Sequence, residues 1–231
     1  MMKKAGLIGG IGPASTLDYY TGIIDGYRQK TGGADYPEIV IYSIDMNEMM
    51  SYIENDRWDR VINQLSKAAA SLAAAGADFI AIASNTPHIV FDEVQEQSPL
   101  PLISIVEETC RFAKAAGYQR VLTIGTRFTM KSGLYTDPLK KHNISALLPS
   151  DEEQEKIHAL FFPNLENGIV IAEDKEKMIK TVDRIIKAQN TDSVILGCTE
   201  LPLMIKQGDL AAPVINATQI HIESIVDYMT V

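Results

Sequence analysis

Two stretches decide the reading of the chain: Asp78-Phe79-Ile80-Ala81-Ile82-Ala83-Ser84-Asn85-Thr86 and Asp192-Ser193-Val194-Ile195-Leu196-Gly197-Cys198-Thr199-Glu200. In each, an Asp opens a short apolar run that ends in a small polar tip, the pattern of a strand buried on both faces. Each is preceded by a second apolar run ending in a small-residue turn. The first is Ala5–Ile8 into Gly9-Gly10-Ile11-Gly12-Pro13-Ala14-Ser15-Thr16, and the second is Val121–Ile124 into Gly125-Thr126-Arg127-Phe128-Thr129. Gly9 lies 75 residues before Ser84 and Gly125 lies 73 before Cys198. Each tip is followed by a proline-led run, Pro101-Leu102-Ile103-Ser104 and Pro213-Val214-Ile215-Asn216. The chain reads as one α/β unit written twice.

Outward from these stretches, strands are expected at Ala5–Ile8, Glu38–Ser43, Phe79–Ser84, Leu102–Ser104, Arg120–Ile124, Ile144–Leu148, Ser193–Gly197 and Val214–Asn216. Helical periodicity fills the gaps. Val61, Leu65, Ala68, Leu72 and Ala75 form one stripe stopped by Gly76, and Met178, Ile179, Val182, Ile185 and Ile186 form another. Ser150 and Glu153 have capping-box spacing. Strands alternating with helices give parallel sheets with right-handed crossovers. The expected fold class is therefore α/β, with two pseudosymmetric lobes, each a parallel sheet flanked by helices. Ligands bind beyond the carboxyl ends of such strands, so Ser84 and Cys198 are expected to meet in one cleft from opposite sides.

Composition narrows the partners. The chain has 231 residues, 46% of them hydrophobic and 22% charged, as in an ordinary globular protein. Twenty-one basic against 30 acidic residues leave a net charge of −9, a poor surface for nucleic acid or anionic lipid. No run approaches the 18 or so apolar residues of a spanning helix. The start Met1-Met2-Lys3-Lys4 leads into a stretch too glycine-rich and short for an export signal. Two cysteines make no disulfide framework and four scattered histidines no metal cluster. The expected setting is the cytosol, with reduced thiols.

Several motifs have two readings. Gly10-Ile11-Gly12-Pro13-Ala14-Ser15 approximates a dinucleotide turn, yet Ser15 replaces the third glycine and the next acidic residue, Asp45, lies too far on. A glycine turn feeding a helix equally suits a carboxylate. Cys110 shares a stripe with Val106 and Ala113 and reads as an inert core thiol. Cys198 is either another core cysteine or a functional thiol at a strand end, followed by polar residues. Ser84-Asn85-Thr86-Pro87-His88 is either a polar turn or a set of donors for a carboxylate or ammonium group. His88 reads either as a catalytic aid or as a satisfied turn residue, His221 as a structural histidine, and Glu200 as a favourable helix N-terminal residue.

Taken in order, Gly9-Gly10-Ile11-Gly12-Pro13, Asn85-Thr86 with His88, Gly125-Thr126 with Thr129, and Gly197-Cys198-Thr199-Glu200 resemble the aspartate/glutamate racemases. These are cofactor-independent amino-acid racemases of the wider Asp/Glu/hydantoin racemase superfamily. The resemblance covers nearly the whole chain. It implies a first lobe of residues 1–104 completed by 215–231, a second lobe of 105–214, and a homodimer. It also implies an amino acid or small dicarboxylate as substrate, aspartate or glutamate first, and no cofactor or metal. By position, Cys198 is the main acid/base. Gly10, Ile11, Asn85, Thr86, Thr126, Thr129 and Thr199 hold the substrate.

The chain departs from the family pattern where a second cysteine is usual and Ser84 stands instead, which implies unequal competence toward the two enantiomers. The family's basic residues for a distal carboxylate are also missing. Asp45-Met46-Asn47-Glu48-Met49 has no Arg, and Glu166-Asn167-Gly168 stands where a Lys is expected. Arg57, Arg127 and Lys131 are the substitutes. Two other functions fit the same residues: a single-thiol decarboxylase or isomerase of small dicarboxylates, and a non-catalytic carboxylate-binding protein.

Overall fold

The computed structural model describes residues 2–33 and 35–231; Met1, part of the basic start, lies outside the described residues. The chain divides into two compact units, Met1–Ile105 with Thr218–Val231, and Val106–Ala217. In the first, the order is β1 (Ala5–Gly9), α1 (Pro13–Thr31), β2 (Ile39–Ser43), α2 (Met46–Glu54), α3 (Trp58–Ala74), β3 (Phe79–Ile82), a 3-10 turn (Thr86–Val90), α4 (Phe91–Gln97) and β4 (Leu102–Ile103). The second runs α5 (Ile105–Ala115), β5 (Arg120–Ile124), α6 (Arg127–Lys131), α7 (Thr136–Lys141), β6 (Ser145–Leu147) and α8 (Asp151–Ala159). It continues with a 3-10 turn (Leu165–Asn167), α9 (Ala172–Gln189), β7 (Ser193–Leu196), α10 (Leu201–Met204) and β8 (Val214–Asn216); α11 (Ala217–Thr230) closes the chain.

Both sheets are four-stranded and wholly parallel, ordered β2-β1-β3-β4 and β6-β5-β7-β8. The expected α/β fold with a repeated sheet is what the molecule has. All eight strands fall where the sequence places them, to within two residues. The central strands β1, β3 and β7 are buried at every position and β5 at all but its first, because helices cover both faces. The edge strand β2 is partly open throughout. The repeated Asp has a structural cause. Asp78 accepts the Lys4 N–H at 2.6 Å, and Asp192 accepts the N–H groups of Gln119 and Arg120 at 2.7 and 2.9 Å. Each carboxylate satisfies the entry of the neighbouring strand, whose donors would otherwise lack a partner.

Helix signals behave as their chemistry predicts. Ser150 and Glu153 form the reciprocal capping box. Val61, Leu65, Ala68 and Leu72 are buried on α3, whereas Ala75 falls past its last turn and is exposed. Gly76 follows at φ 86°. In the first unit Ile222, Ile225, Val226 and Met229 of α11 share one apolar cluster with Tyr19, Ile23 and Tyr27 of α1. Gly22 makes this approach possible, since a Cβ there would sit 2.9 Å from Ile222 Cδ1.

Gly10 is the most constrained turn residue. Its φ is +87°, and a Cβ would lie 2.4 Å from the Ile44 carbonyl oxygen and 2.8 Å from its nitrogen. Gly32 is also left-handed, at φ +61°, but faces open space. Gly10→Ala is therefore expected to lose about 3 kcal/mol or more, against about 1 for Gly32→Ala. Urea unfolding of both variants measures this; equal losses would refute the steric argument.

Candidate active site

Strand register sets each small-residue turn beside its polar tip. In the first unit Ile8 pairs with Ile82, the Ala83 N–H donates to the Ile8 carbonyl at 2.9 Å, and Ser15 Oγ donates to the Ala83 carbonyl at 2.9 Å. In the second, Ile124 pairs with Leu196 and the Gly197 N–H donates to the Ile124 carbonyl at 2.7 Å. Close packing requires the glycines here. A Cβ on Gly125 would lie 2.8 Å from the Gly197 carbonyl oxygen, and one on Gly197 would lie 2.9 Å from Thr129 Cγ2. The strands end earlier than expected at both tips, at Ile82 and Leu196. At Ser84 the reason is local: its N–H folds back to the Ile82 carbonyl at 2.9 Å.

At the tip of β7, Cys198 is buried. Its Sγ donates to Glu200 Oε2 at 2.9 Å, and Thr199 Oγ1 donates to the same oxygen at 3.0 Å. Glu200 is the residue that sequence reasoning missed. It occupies the N-cap position of α10 yet makes no capping hydrogen bond; its carboxylate turns back over the thiol instead. The available signal was the two-residue spacing from Cys198, which permits such a turn without requiring it. Burial, together with the charge and hydrogen bond of Glu200, pushes the Cys198 thiol well above its ordinary range. The resting state is a protonated thiol beside a carboxylate.

The remaining second-unit candidates lie on the twin turn. Thr126 caps α6, its Oγ1 accepting the Thr129 N–H, and the two threonine hydroxyls are 3.4 Å apart. Thr129 and Thr199 are buried and Thr126 is half-buried. Cys110 is fully enclosed, and burial pushes its thiol up to about 12.

In the first unit, Ser84 is 8% exposed and Asn85 is buried, while Thr86 opens the following 3-10 turn. Among the described residues no side chain or backbone group hydrogen-bonds to the Ser84 hydroxyl. His88 does not activate it. Its Nε2 accepts the Ile105 N–H at 3.3 Å, so Nδ1 carries the proton and donates to the Ser84 carbonyl at 2.8 Å. His221 is likewise satisfied, by Tyr19 Oη and the Ile103 carbonyl at 2.8 and 2.9 Å. Gly10 and Ile11 are both buried in the turn. The Gly10 N–H donates to Thr16 Oγ1 at 2.8 Å within the turn.

The substitute cations are engaged elsewhere. Arg127 and Lys131 both pair with Glu155, at 3.3 and 3.0 Å, and Arg57 pairs with Asp59 at 3.0 Å. Among the described residues no helix is long and apolar enough to cross a membrane, and no cluster of three or more His, Cys, Asp or Glu could hold a metal.

A thiol, a hydroxyl and a set of donors at the ends of matching strands can exchange protons with a small bound acid. Many known proteins are similar to this chain in sequence or in structure. A broad specificity amino-acid racemase, RacX, of Bacillus subtilis (strain 168) is 27% identical over 224 residues, 92% of each chain. The crystal structure of an aspartate racemase homologue from Pyrococcus horikoshii OT3 matches with a TM-score of 0.84 at 37% identity, covering 100% of both chains. That of a candidate Asp/Glu racemase from Yersinia pestis gives a TM-score of 0.91 at 33% identity, again over 100% of both. The family model described as Asp/Glu/Hydantoin racemase matches residues 8–225. With that span matched and the repeated fold in place, the chain belongs to the Asp/Glu/hydantoin racemase family.

Proposed function

We propose that the protein is a cofactor-independent amino-acid racemase in which Cys198 is the main acid/base and Ser84 the second proton donor. The observation that carries this reading is the Cys198 thiol bonded at 2.9 Å to the Glu200 carboxylate at the carboxyl end of a central strand. Inverting an α-carbon requires a proton to leave one face and another to arrive on the opposite face. The reading needs each unit to bring one group to the same carbon. Cys198 removes the α-proton after its own proton has moved to Glu200, leaving a thiolate and a carboxylic acid. The carbanion is then protonated from the other face, by the Ser84 hydroxyl or a water that it holds, and the alkoxide or hydroxide so formed is neutralised through solvent by the proton that Glu200 releases. Thr126, Thr129, Thr199, Asn85, Thr86 and the Ile11 N–H are the donors proposed for the α-carboxylate, where the developing charge resides.

A serine hydroxyl without a hydrogen-bonded base is a weak proton acceptor, whereas Cys198 is already protonated and suited to deliver. Only the enantiomer whose α-hydrogen faces Cys198 should exchange rapidly. Aspartate and glutamate are the substrates that the family resemblance proposes. A homodimer in a reducing cytosol belongs to the same reading, which needs Cys198 as a free thiol.

The test is exchange of the α-hydrogen with solvent deuterium, followed by NMR for the L- and D-forms of each amino acid. One enantiomer is expected to exchange at least tenfold faster, and Ser84→Cys is expected to raise exchange of the slower one by tenfold or more. No exchange with any amino acid, alongside saturable binding by calorimetry, would instead identify a carboxylate-binding protein.

A further inference from the structure

The helix beside Thr126 that carries Thr129 cannot hold itself. α6 spans five residues, Arg127–Lys131, against the roughly 12 or more that an isolated helix needs. Its first N–H groups have no partner within the helix and must find one outside it. Thr126 Oγ1 accepts the Thr129 N–H, and the two hydroxyls stand 3.4 Å apart. The Arg127 N–H is taken by a ring from elsewhere. It donates at 3.3 Å to Nδ1 of His158, 31 residues further on, in α8, which packs against α6. That ring is half-buried and meets Phe162 edge-on, with centroids 5.0 Å apart. A neutral histidine whose Nδ1 accepts carries its proton on Nε2. A protonated one has donors on both nitrogens, so Nδ1–H would face the Arg127 N–H.

The charges around the ring disfavour that proton. Arg127 and Lys131 of α6 both pair with Glu155 of α8, while Glu153 of α8 is turned to Arg184 of α9 at 3.1 Å. A protonated His158 would be a third cation around the single Glu155 carboxylate. Burial first, and then the charge of Arg127, hold His158 below the ordinary histidine value of 6.5, against the pull of Glu155.

We propose that His158 is a positioning residue: its neutral Nδ1 holds the first turn of α6, keeping Thr126 and Thr129 in place for the α-carboxylate, and protonation of the ring releases that turn. The inference rests on the racemase reading for the role of the two threonines, while the contact itself does not. His158→Asn sets an amide oxygen near the place of Nδ1 with no titratable group, and His158→Leu removes the acceptor.

Proton–nitrogen NMR of the full chain between about pH 7.5 and 5 follows the ring and the amide together. The His158 ring is expected as the Nε2–H tautomer at the upper end. The Arg127 amide signal is expected to move with the same midpoint as the ring, and this movement should vanish in both variants. In α-deuterium exchange, His158→Leu should lower kcat/KM about tenfold or more at neutral pH. His158→Asn should retain most of the rate and fall off less on the acid side than the unmodified protein. Circular dichroism checks both folds, and His158→Asn carries the test alone where His158→Leu does not fold. An Nδ1–H tautomer, an Arg127 amide that ignores the ring, a folded His158→Leu as fast as the unmodified protein, or an unchanged acid limb in His158→Asn would overturn the proposal. An amide that tracks the ring, with no α-deuterium exchange of any amino acid, would uphold the contact and defeat the racemase reading instead.

Discussion

Cys198→Ala is expected to lower α-deuterium exchange by about a thousandfold or more, the scale of losing a positioned proton-transfer group. The variant should stay folded, because the thiol adds only a small part of the apolar cluster around Leu122, Met130 and Leu201. Exchange that survives the change would remove the thiol from the mechanism. Glu200→Gln is the companion variant. The amide accepts a hydrogen bond from Cys198 but cannot take its proton, so a loss of about ten- to a hundredfold is expected. The charge of Glu200 helps to hold the thiol protonated. Removing that charge lowers the thiol toward its ordinary range, and the thiol ionisation in the pH–rate profile should move to lower pH. An unmoved profile would show that Glu200 does not govern the thiol.

The second large effect is acid destabilisation through His88 and His221 of the first unit, whose ring centroids lie 6.1 Å apart. Burial holds His88 down to about 4, and burial with the charge of His88 holds His221 down to about 3. Both rings are neutral when folded, and in the unfolded chain they gain protons near pH 6.5. Unfolding therefore takes up protons below that pH, so stability is complete above it and falls as the pH drops toward the folded values. Between pH 6.5 and 4.5 the loss is expected to be on the order of 4 kcal/mol for the two together. Carboxylates held low by ion pairs, such as Glu152 and Asp209, add to the loss only below this window. Urea unfolding across the pH range measures the slope, and the imidazole NMR signals of the two residues should stay unshifted down to pH 5. Titration of either ring near 6.5 would contradict the burial argument.

These predictions draw unequally on sequence and structure. The strands, the duplicated order and the helix stops were legible because apolar periodicity, glycine and the Ser150–Glu153 spacing act over a few residues. The same locality made the two tips visible as equivalent places. Glu200 was not legible as a partner of Cys198, because a glutamate at a helix start has two uses and only packing chooses between them. Nor was the idle hydroxyl of Ser84. His88 is turned away from it by the N–H of Ile105, 17 residues further on.

The charge of the site divides the same way. That basic residues are missing from 45–49 and 166–168 is written in the chain. That Arg57 pairs with Asp59, and Arg127 and Lys131 with Glu155, is seen only in space. The sequence alone determined the α/β architecture, its repetition and the two residues standing at its matched strand ends, since each follows from neighbouring residues. Only the tertiary structure decided protonation, hydrogen-bond partners and free charge. These depend on groups from distant parts of the chain competing for the same atoms.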